Sequence, residues 1–402
     1  MEKMKVAIIT SGYLPVPPTK GGAVENIIYN LIKKNEKYGE CLFTIYSIAD
    51  SHNEYFKNTN IEYVNVSLFF RILDKLLYFV AKNILKRKHL ISYRYFFQRM
   101  KFYKKVGKEL SKNDYDRVLL ENNVVMFRAL CYKDNLKKYN NKIIYHAHNE
   151  LGKTLGYERY LNNLKRIVGV SDYITSKYKE CVNNTNVDFC TIHNAIDENE
   201  FSRDISELEI SRLKNDLGIK NDCPVLLYTG RISEEKGILE LIKALASLDT
   251  DRYNLVIVGK SFYGTRIKDT FEDSLQFEVR NVKGGVIFTG LVKYEDMYKY
   301  YKLADLCILP SVWNEPCALT VIECIVSGTP LITTKTGGTP ENITPSTIML
   351  DADNIIDDLA SIIKTMIDNP FQLEELKEKA KKEIYKHGTL DKYYFNFVNA
   401  LK

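Results

Sequence analysis

The sequence has 402 residues and a mass of 46.6 kDa, which is long for a single domain and favours two domains of about 200 residues each. Its 57 basic and 51 acidic residues give a formal charge of +6, too small a surplus to indicate nucleic-acid binding. Its eight cysteines are scattered without a C-x-x-C pair, a pattern typical of free thiols in a reducing cytoplasm.

The start of the chain predicts a β-strand over residues 6–10 and not a signal peptide, because the long apolar core and the small-residue cleavage site are missing. No apolar run in the sequence reaches the length that spans a bilayer, about 20 residues. We therefore expect a cytoplasmic protein.

Short apolar runs alternate with amphipathic stretches along the chain, which predicts parallel sheets flanked by helices. The predicted strands are residues 6–10, 42–47, 117–120, 142–145, 166–169, 225–229, 255–258, 286–289, 306–309 and 331–334. A polar stretch over 197–221 separates two halves. We expect an α/β protein with two Rossmann-like domains, residues 1–197 and 198–385. Ligands of such sheets bind beyond the carboxyl ends of the strands, so the loops there are candidate sites.

The loop after the first strand ends in paired glycines, Gly21 and Gly22, before a helix predicted to start at Ala23. Glycines at a helix start let a ligand approach the backbone amides closely. The same pair is common in ordinary turns. It is not a G-x-G-x-x-G motif, so dinucleotide binding is unsupported.

Residues 69–105 are apolar, aromatic and basic, with Asp74 as their single acid. The basic residues are Arg71, Lys75, Lys82, Lys86, Arg87, Lys88, Arg94, Arg99, Lys101, Lys104 and Lys105. An amphipathic basic segment with aromatic residues predicts attachment to anionic lipid, here at the inner face of the cell membrane. The alternative is a pair of packed helices with solvated lysines.

The strand predicted over 142–145 is followed by His146 and His148. An H-x-H pair can ligate a metal, but the sequence offers no third ligand nearby. A hydrogen-bonding role is therefore preferred over a metal site. The alternative is that both histidines are packed at the strand end.

The loop after the first strand of the second half begins at Gly230 and carries Arg231 and Lys236. An arginine offers a fork of donors and a lysine a point charge, so the two could neutralise a phosphate. The alternative is a pair of solvated charges beside Glu234 and Glu235.

Two glutamates, Glu315 and Glu323, flank the predicted start of a helix near Ala318. Unpaired amides there, around Leu319 and Thr320, form an anion site suited to a diphosphate. Eight positions along a helix span about 12 Å, whereas glycosidase carboxylates lie about 5 to 9.5 Å apart, so a glycosidase pair is excluded. The alternative is that Glu315 complements the helix dipole and Glu323 is solvated.

Together these motifs resemble those of the family-4 retaining glycosyltransferases of GT-B fold. The residues that carry the resemblance are Gly21, Gly22, Gly230, Arg231, Lys236, Gly237, Phe288, Thr289, Gly290, Glu315, Glu323, Gly328, Thr329, Pro330, Gly337 and Gly338. The match covers most of the chain and is strongest over 225–342. It implies two Rossmann-like domains that face across a cleft, with the acceptor in the first and the donor in the second. It also implies a last helix, over about 386–402, that packs back on the first domain.

The resemblance implies that Arg231 and Lys236 hold the diphosphate, Glu323 the ribose hydroxyls and Glu315 the hydroxyls of the transferred sugar. His146, with His148 as second choice, would contact the sugar or acceptor near the anomeric carbon. The other implied substrate-binding residues are Gly21, Gly22, Asn194, Gly230, Val292, Cys317, Ala318, Leu319 and Thr320. Among them the backbone of Gly22 would contact phosphate and that around Val292 the base. Cys317 and Ala318 stand where many members have an aromatic residue and a glycine, which bears on the donor sugar.

The resemblance implies a retaining, metal-independent hexosyltransferase without a cofactor. We expect a nucleotide-sugar donor, by analogy a UDP-sugar, and a saccharide or lipid-linked acceptor in capsule, O-antigen or other cell-envelope polysaccharide synthesis. Two alternatives stay open: a GT-B epimerase acting on a nucleotide sugar, and a non-catalytic GT-B partner subunit. The presence of all four candidate residues, Glu315, Glu323, Arg231 and Lys236, disfavours the non-catalytic partner subunit. A site that has lost its activity has no reason to keep all of them.

Overall fold

The structure is a computed structural model that describes residues 2–50, 54–85, 93, 95–152, 154, 156–219, 223–260, 270–383 and 385–402. The chain forms two compact units. Unit 1 contains Met1–Asn194 together with Leu390–Lys402, and unit 2 contains Ala195–Thr389.

Unit 1 is built on a seven-stranded parallel sheet. Its strands are β1 (Met4–Ile9), β2 (Cys41–Ile48), β3 (Thr59–Val64), β4 (Arg117–Glu121), β5 (Ile143–Ala147), β6 (Arg166–Gly169) and β7 (Asp188–Thr191). They lie in the order β3-β2-β1-β4-β5-β6-β7. All five residues of β5 are buried, as expected for a central parallel strand that is covered on both faces.

Helices connect these strands. In unit 1 they are α1 (Ala23–Tyr38), α2 (Leu68–Phe79), α3 (Phe96–Lys112), α4 (Phe127–Leu130), α5 (Asn135–Lys138) and α6 (Asp172–Cys181). Helix α6 starts where the Ser171 hydroxyl accepts a hydrogen bond from the Ile174 amide, which caps the first turn.

Unit 2 contains a six-stranded parallel sheet in the order β10-β9-β8-β11-β12-β13. Its strands are β8 (Val225–Thr229), β9 (Asn254–Val258), β10 (Gly285–Gly290), β11 (Leu306–Leu309), β12 (Leu331–Thr334) and β13 (Ile348–Leu350). Its helices are α7 (Glu198–Phe201), α8 (Glu207–Leu217), α9 (Ile238–Ala246), α10 (Thr270–Val279), α11 (Met297–Leu303), α12 (Leu319–Val326), α13 (Ile355–Asp368) and α14 (Pro370–Lys382). Leu241 and Leu245 of α9 and Leu359 and Ile363 of α13 belong to one buried core with the sheet.

The predicted α/β class with two parallel sheets is confirmed, and each of the ten predicted strands is present. Three further strands, β3, β7 and β13, were not predicted. All three lie at sheet edges and are only partly buried. Edge strands need no continuous apolar run, so the pattern that marks the central strands is missing from them.

The last helix, α15 (Leu390–Leu401), is part of unit 1 and packs on α1. The Tyr394 hydroxyl donates a hydrogen bond of 2.8 Å to the Asn35 side chain. At the amino end of α15, Asp391 forms ion pairs with Lys34 and Lys37.

The segment 69–105 forms the described helices α2 and α3, and only part of it is exposed. Helix α3 buries Phe102 and Tyr103, and the Asp74 carboxylate of α2 accepts hydrogen bonds from the amides of Phe97 and Gln98, at 2.8 and 3.0 Å. Lys86, Arg87, Lys88 and Arg94 lie outside the described residues.

Helix α2 carries an exposed apolar stripe, which consists of Leu68, Phe69, Ile72, Leu76 and Phe79, each 56–72% exposed. From Phe69 onward the spacing is three to four residues, which puts these side chains on one side of the helix. Among the helices of the described ranges, none is long and apolar enough to cross a membrane.

Candidate functional site

The sheet of unit 2 has a topological switch point between its two central strands. From β8 the chain proceeds outward to β9 and β10, then returns to β11 on the other side of β8. Ligands of open parallel sheets bind at such a point, beyond the carboxyl ends of the strands. The loops that follow β8 and β11 carry Arg231, Lys236 and Glu315.

An ion pair between a partly buried lysine and a buried glutamate joins these two loops. The Lys236 ammonium lies 2.5 Å from Glu315 Oε1, and the Ser311 hydroxyl donates to the same oxygen at 2.5 Å. Glu315 is only 4% exposed. Two donors on one buried carboxylate oxygen compensate its desolvation and fix its direction.

Backbone contacts hold the two loops together around this pair. The Val312 amide donates to the Glu235 carbonyl at 3.1 Å, and the Ser311 hydroxyl oxygen lies 3.0 Å from the same carbonyl oxygen. Gly237, at φ 67°, lies so close to the next loop that a Cβ there would be 1.8 Å from the Pro310 carbonyl oxygen. Only glycine fits this approach, so Gly237 is required for the loop after β8 to reach the loop after β11.

Arg231 lies two residues beyond the end of β8. Its guanidinium is 3.4 Å from the Glu235 carboxylate, and its side chain is 44% exposed. Its carbonyl accepts a hydrogen bond of 2.9 Å from the Tyr228 hydroxyl, which fixes the backbone. An ion pair this exposed contributes little to stability.

Glu323 lies on α12 and is 4% exposed, so the interpretation of it as a solvated residue is wrong. The Tyr301 hydroxyl donates to Glu323 Oε2 at 2.9 Å and lies 2.9 Å from the Thr229 hydroxyl at the end of β8. Burial raises the pKa of Glu323 to about 7, although hydrogen bonds from Tyr301 and Tyr294 oppose the shift. No pattern in the sequence distinguishes these two tyrosines from the others in the tyrosine-rich region around α11.

The first turn of α12 lies between the two glutamates. Ala318 precedes the helix, and Leu319 and Thr320 are its first two residues, all partly buried. Amides at such a position lack intrahelical partners and carry partial positive charge. Cys317 is buried, with its sulfur 3.8 Å from Asn342 Oδ1, and Val292 is partly buried in the loop after β10.

Unit 1 has its own switch point between β1 and β4. The loop after β1 reaches α1 through Gly21 and Gly22, which have φ angles of 71° and 118°. A Cβ on Gly22 would lie 2.2 Å from Glu25 Oε2, so a larger residue would displace this carboxyl. Glu25 is buried and accepts a hydrogen bond of 2.9 Å from the Ser11 hydroxyl. Burial raises the pKa of Glu25 to about 7.

The two predicted histidines meet a third residue, Glu121, that the sequence interpretation missed. Glu121 ends β4 and is paired in register with His146 of β5. Its Oε2 atom lies 3.1 Å from His146 Nδ1 and 2.7 Å from His148 Nε2, and the two nitrogens are 3.1 Å apart. Glu121 could have been noticed as a polar residue at the end of a predicted strand. Nothing in the sequence indicated that this strand, β4, lies beside β5.

This histidine cluster, Glu121, His146 and His148, is almost fully buried. Burial raises the pKa of Glu121, but the two histidines more than offset this effect and lower it to about 2. Burial and the neighbouring His146 lower the pKa of His148 to about 4. Asn194, the other candidate of unit 1 beyond the glycines, is also buried and follows β7.

The chain matches known proteins in sequence. Residues 209–386 match the profile of the family described as glycosyl transferases group 1. The chain is 29% identical over 225 residues to an uncharacterized glycosyltransferase of Methanocaldococcus jannaschii, covering 52% of this chain and 53% of that protein. It therefore spans about half the length of that relative. It is 22% identical over 407 residues to the lipopolysaccharide 1,2-N-acetylglucosaminetransferase of Salmonella typhimurium, covering 99% of this chain and 98% of that protein.

The fold also matches solved structures. The crystal structure of HepE from Anabaena in complex with UDP and glucose superposes with a TM-score of 0.71 and 18% sequence identity. The superposition covers 99% of each chain. With 18% sequence identity, this structural similarity shows that the two chains share a fold and nothing more.

Proposed function

We propose that this chain, a GT-B protein with a group 1 glycosyltransferase domain over residues 209–386, is a retaining hexosyltransferase of family 4. It moves a sugar from a nucleoside diphosphate donor to a saccharide or lipid-linked acceptor. Unit 2 binds the donor, and unit 1 contributes the acceptor site. The alternatives of an epimerase and of a non-catalytic partner are outcomes of the test below.

The observation that carries this proposal is the ion pair of Lys236 and Glu315 at the switch point of unit 2. A cation and a carboxylate held together at the carboxyl ends of parallel strands suit a ligand with both phosphates and hydroxyls. Glu315 accepts hydrogen bonds from the hydroxyls of the transferred sugar, and Lys236 approaches the diphosphate. Glu323 accepts hydrogen bonds from the ribose hydroxyls.

Breaking the bond between the anomeric carbon and the phosphate oxygen leaves negative charge on the departing diphosphate. Fixed donors that face this charge stabilise the transition state more than the ground state. Arg231, Lys236 and the first amides of α12 supply these donors, with Gly230 allowing the loop its conformation. Because side chains and amides provide the positive charge, we propose that the diphosphate needs no divalent metal.

Retention follows from attack on the same face. The acceptor oxygen forms the new bond to the anomeric carbon on the side from which the phosphate oxygen departs. The acceptor proton moves to that phosphate oxygen, so no enzyme nucleophile is needed. In this proposal His146 acts as a hydrogen-bonding residue for the sugar or acceptor, and the backbone of Gly22 contacts phosphate.

We propose UDP as the nucleotide and cell-envelope polysaccharide as the product. The Anabaena neighbour was crystallised with UDP and glucose, and the Salmonella relative is named for lipopolysaccharide, which supports both assignments by analogy. Ala318 stands where many family members have a glycine, and we propose that its methyl group bears on which sugar fits.

We further propose that the protein attaches peripherally to the inner face of the cell membrane. The apolar stripe of α2 supports this, because its exposed side chains can enter a lipid interface. Lys75 and Arg71 on the same helix supply charge for anionic headgroups, worth about 1 kcal/mol each near the surface. A lipid-linked acceptor would be presented at that surface.

A panel of UDP-sugars and GDP-sugars tests the proposal. The expected result is a rise in melting temperature with one donor, slow hydrolysis of that donor, and an α-linked product from an α-linked donor by NMR. Inversion at the anomeric carbon contradicts the retaining assignment. Release of an epimerised free sugar supports the epimerase, and nucleotide binding without turnover supports the partner subunit.

A further inference from the structure

We propose that the histidine cluster of unit 1 binds one divalent first-row transition-metal ion, with Glu121 Oε2, His146 Nδ1 and His148 Nε2 as protein ligands. The ion ties the end of β4 to the end of β5 and orients His146. It is separate in function from the cationic side chains that we assign to the diphosphate.

The separations among the three ligand atoms match those around a metal ion. They are 3.1, 2.7 and 3.1 Å. Ligands about 2.1 Å from an ion lie about 3.0 Å apart when they subtend a right angle. Three such ligands form one face of an octahedron, the arrangement of a 2-His-1-carboxylate site.

Hydrogen bonds alone leave the cluster unsatisfied. With Glu121 ionised, hydrogens on His146 Nδ1 and His148 Nε2 can both point to Glu121 Oε2. The two nitrogens, only 3.1 Å apart, then both carry hydrogens and repel each other. A cation instead accepts all three lone pairs at once.

Burial strengthens the case for a cation. Glu121 and His146 are fully buried and His148 nearly so, with exposures of 0, 0 and 6%. Glu121 Oε1 and His146 Nε2 have no hydrogen-bond partner among the described residues. A buried carboxylate with an unpartnered oxygen costs several kcal/mol unless a positive charge lies beside it, and a divalent ion supplies that charge.

The ion would also fix the tautomer of His146. With the metal on Nδ1, the hydrogen of the neutral ring must lie on Nε2. His146 Nε2, which is buried and has no hydrogen-bond partner among the described residues, then becomes a donor. The ion thus positions a residue of the proposed transferase without contacting the substrate.

The donor set indicates which ions fit. Two imidazoles and one carboxylate suit Zn²⁺, Fe²⁺ and Co²⁺, whereas Mg²⁺ prefers oxygen ligands and retains its waters. Zn²⁺ and Co²⁺ are therefore the probes, and Co²⁺ adds visible absorption bands that report coordination.

The experiment measures metal binding to the full chain without donor or acceptor. After chelation and dialysis, wild type should take up one Zn²⁺ or Co²⁺ per chain and melt about 5 °C higher at a 100-fold excess over Kd. Glu121→Gln keeps the shape of the side chain and should lower affinity at least about 100-fold, because loss of a second-shell partner alone costs about 10–100-fold. His148→Gln, a second variant, should behave alike.

Glu62→Gln is the matched control, because Glu62 is an exposed glutamate of the same unit. Ions on exposed Cys131 or Cys181 would bind equally in all variants. Equal uptake by wild type and Glu121→Gln, or no uptake by wild type, overturns the proposal. Neither result affects the proposed donor site, because that site is tested by nucleotide binding in unit 2.

Discussion

We propose that the guanidinium of Arg231, which pairs with Glu235 in an exposed ion pair, carries much of the charge stabilisation. Arg231→Ala should reduce kcat by at least about 10²-fold, the scale of losing one preorganised donor to a developing anion. Steady-state kinetics with the preferred donor checks this.

Arg252→Ala is the control for this variant, because Arg252 is an exposed arginine of unit 2 in an ion pair with Asp368. Its kcat should stay within about twofold of wild type, since surface pairs contribute little. Near-wild-type turnover of Arg231→Ala would refute the role of Arg231.

Glu323 should make the stability of the protein depend on pH. Its folded pKa of about 7 lies above the ordinary value of 4.5, so the folded state binds this proton more tightly than the unfolded state. The stabilisation of the fold by protonated Glu323 is therefore fully present below pH 4.5 and is lost as the pH rises through about 7.

Urea unfolding of wild type and Glu323→Gln at pH 5 and pH 8 measures this contribution. Between pH 5 and pH 8 the free energy of unfolding of wild type should fall by about 2–3 kcal/mol more than that of the variant. Glu25 titrates in the same range but is present in both proteins, so it cancels in the difference. An equal change in the free energy of unfolding for both proteins would mean that Glu323 does not change its protonation between pH 5 and pH 8.

At the scale of the element, α2 is a helix with an exposed apolar side and a buried acid. Asp74 binds the first amides of α3 and holds α2 in place, so the apolar stripe stays on the outside. The stripe is therefore available to a lipid interface.

The double variant Ile72→Glu, Leu76→Glu should reduce binding to phosphatidylglycerol vesicles at low salt by at least about tenfold. Each substitution removes an apolar side chain worth about 1.5–3 kcal/mol when buried and adds a like charge to the anionic surface. Phe371→Glu, in a highly exposed position of unit 2, is the control and should bind as wild type does. Vesicle sedimentation distinguishes these outcomes. If wild type does not bind the vesicles, the membrane proposal is wrong.

The elements differed in how far the sequence could predict them. Central strands such as β1 and β8 are covered on both faces and show continuous apolar runs. Helix α12 was predicted from its apolar spacing and from its end at Gly328, which has φ 71°. The edge strand β7, with the sequence Asp-Phe-Cys-Thr, has no such pattern and was missed.

At the scale of the whole molecule, the proposed mechanism stabilises the departing diphosphate with positively charged side chains and helix amides instead of a metal ion. Adding or omitting Mg²⁺ should therefore change kcat by less than about twofold, because we propose that Arg231, Lys236 and the amides of α12 supply the positive charge for the diphosphate. Loss of turnover by orders of magnitude without Mg²⁺ would contradict metal-independent departure. Mg²⁺ is also poorly suited to the histidine cluster, so the measurement does not depend on occupancy there.

The sequence by itself determined the types of residue in each loop and the apolar strands between them. Apolar runs that alternate with amphipathic stretches were enough to predict two parallel sheets. Glycines, cations and carboxylates after the strand ends were enough to nominate Lys236 and Glu315. These features depend on neighbours in the chain, such as strand burial and helix starts, so they leave a local pattern.

Only the tertiary structure decided which of these residues meet. Lys236 and Glu315 are 79 positions apart and are joined because β11 lies beside β8. Glu121 joins His146 because β4 lies beside β5, which turns a histidine pair into a cluster of three residues. Strand order results from packing of the whole sheet, and no short stretch of sequence encodes it.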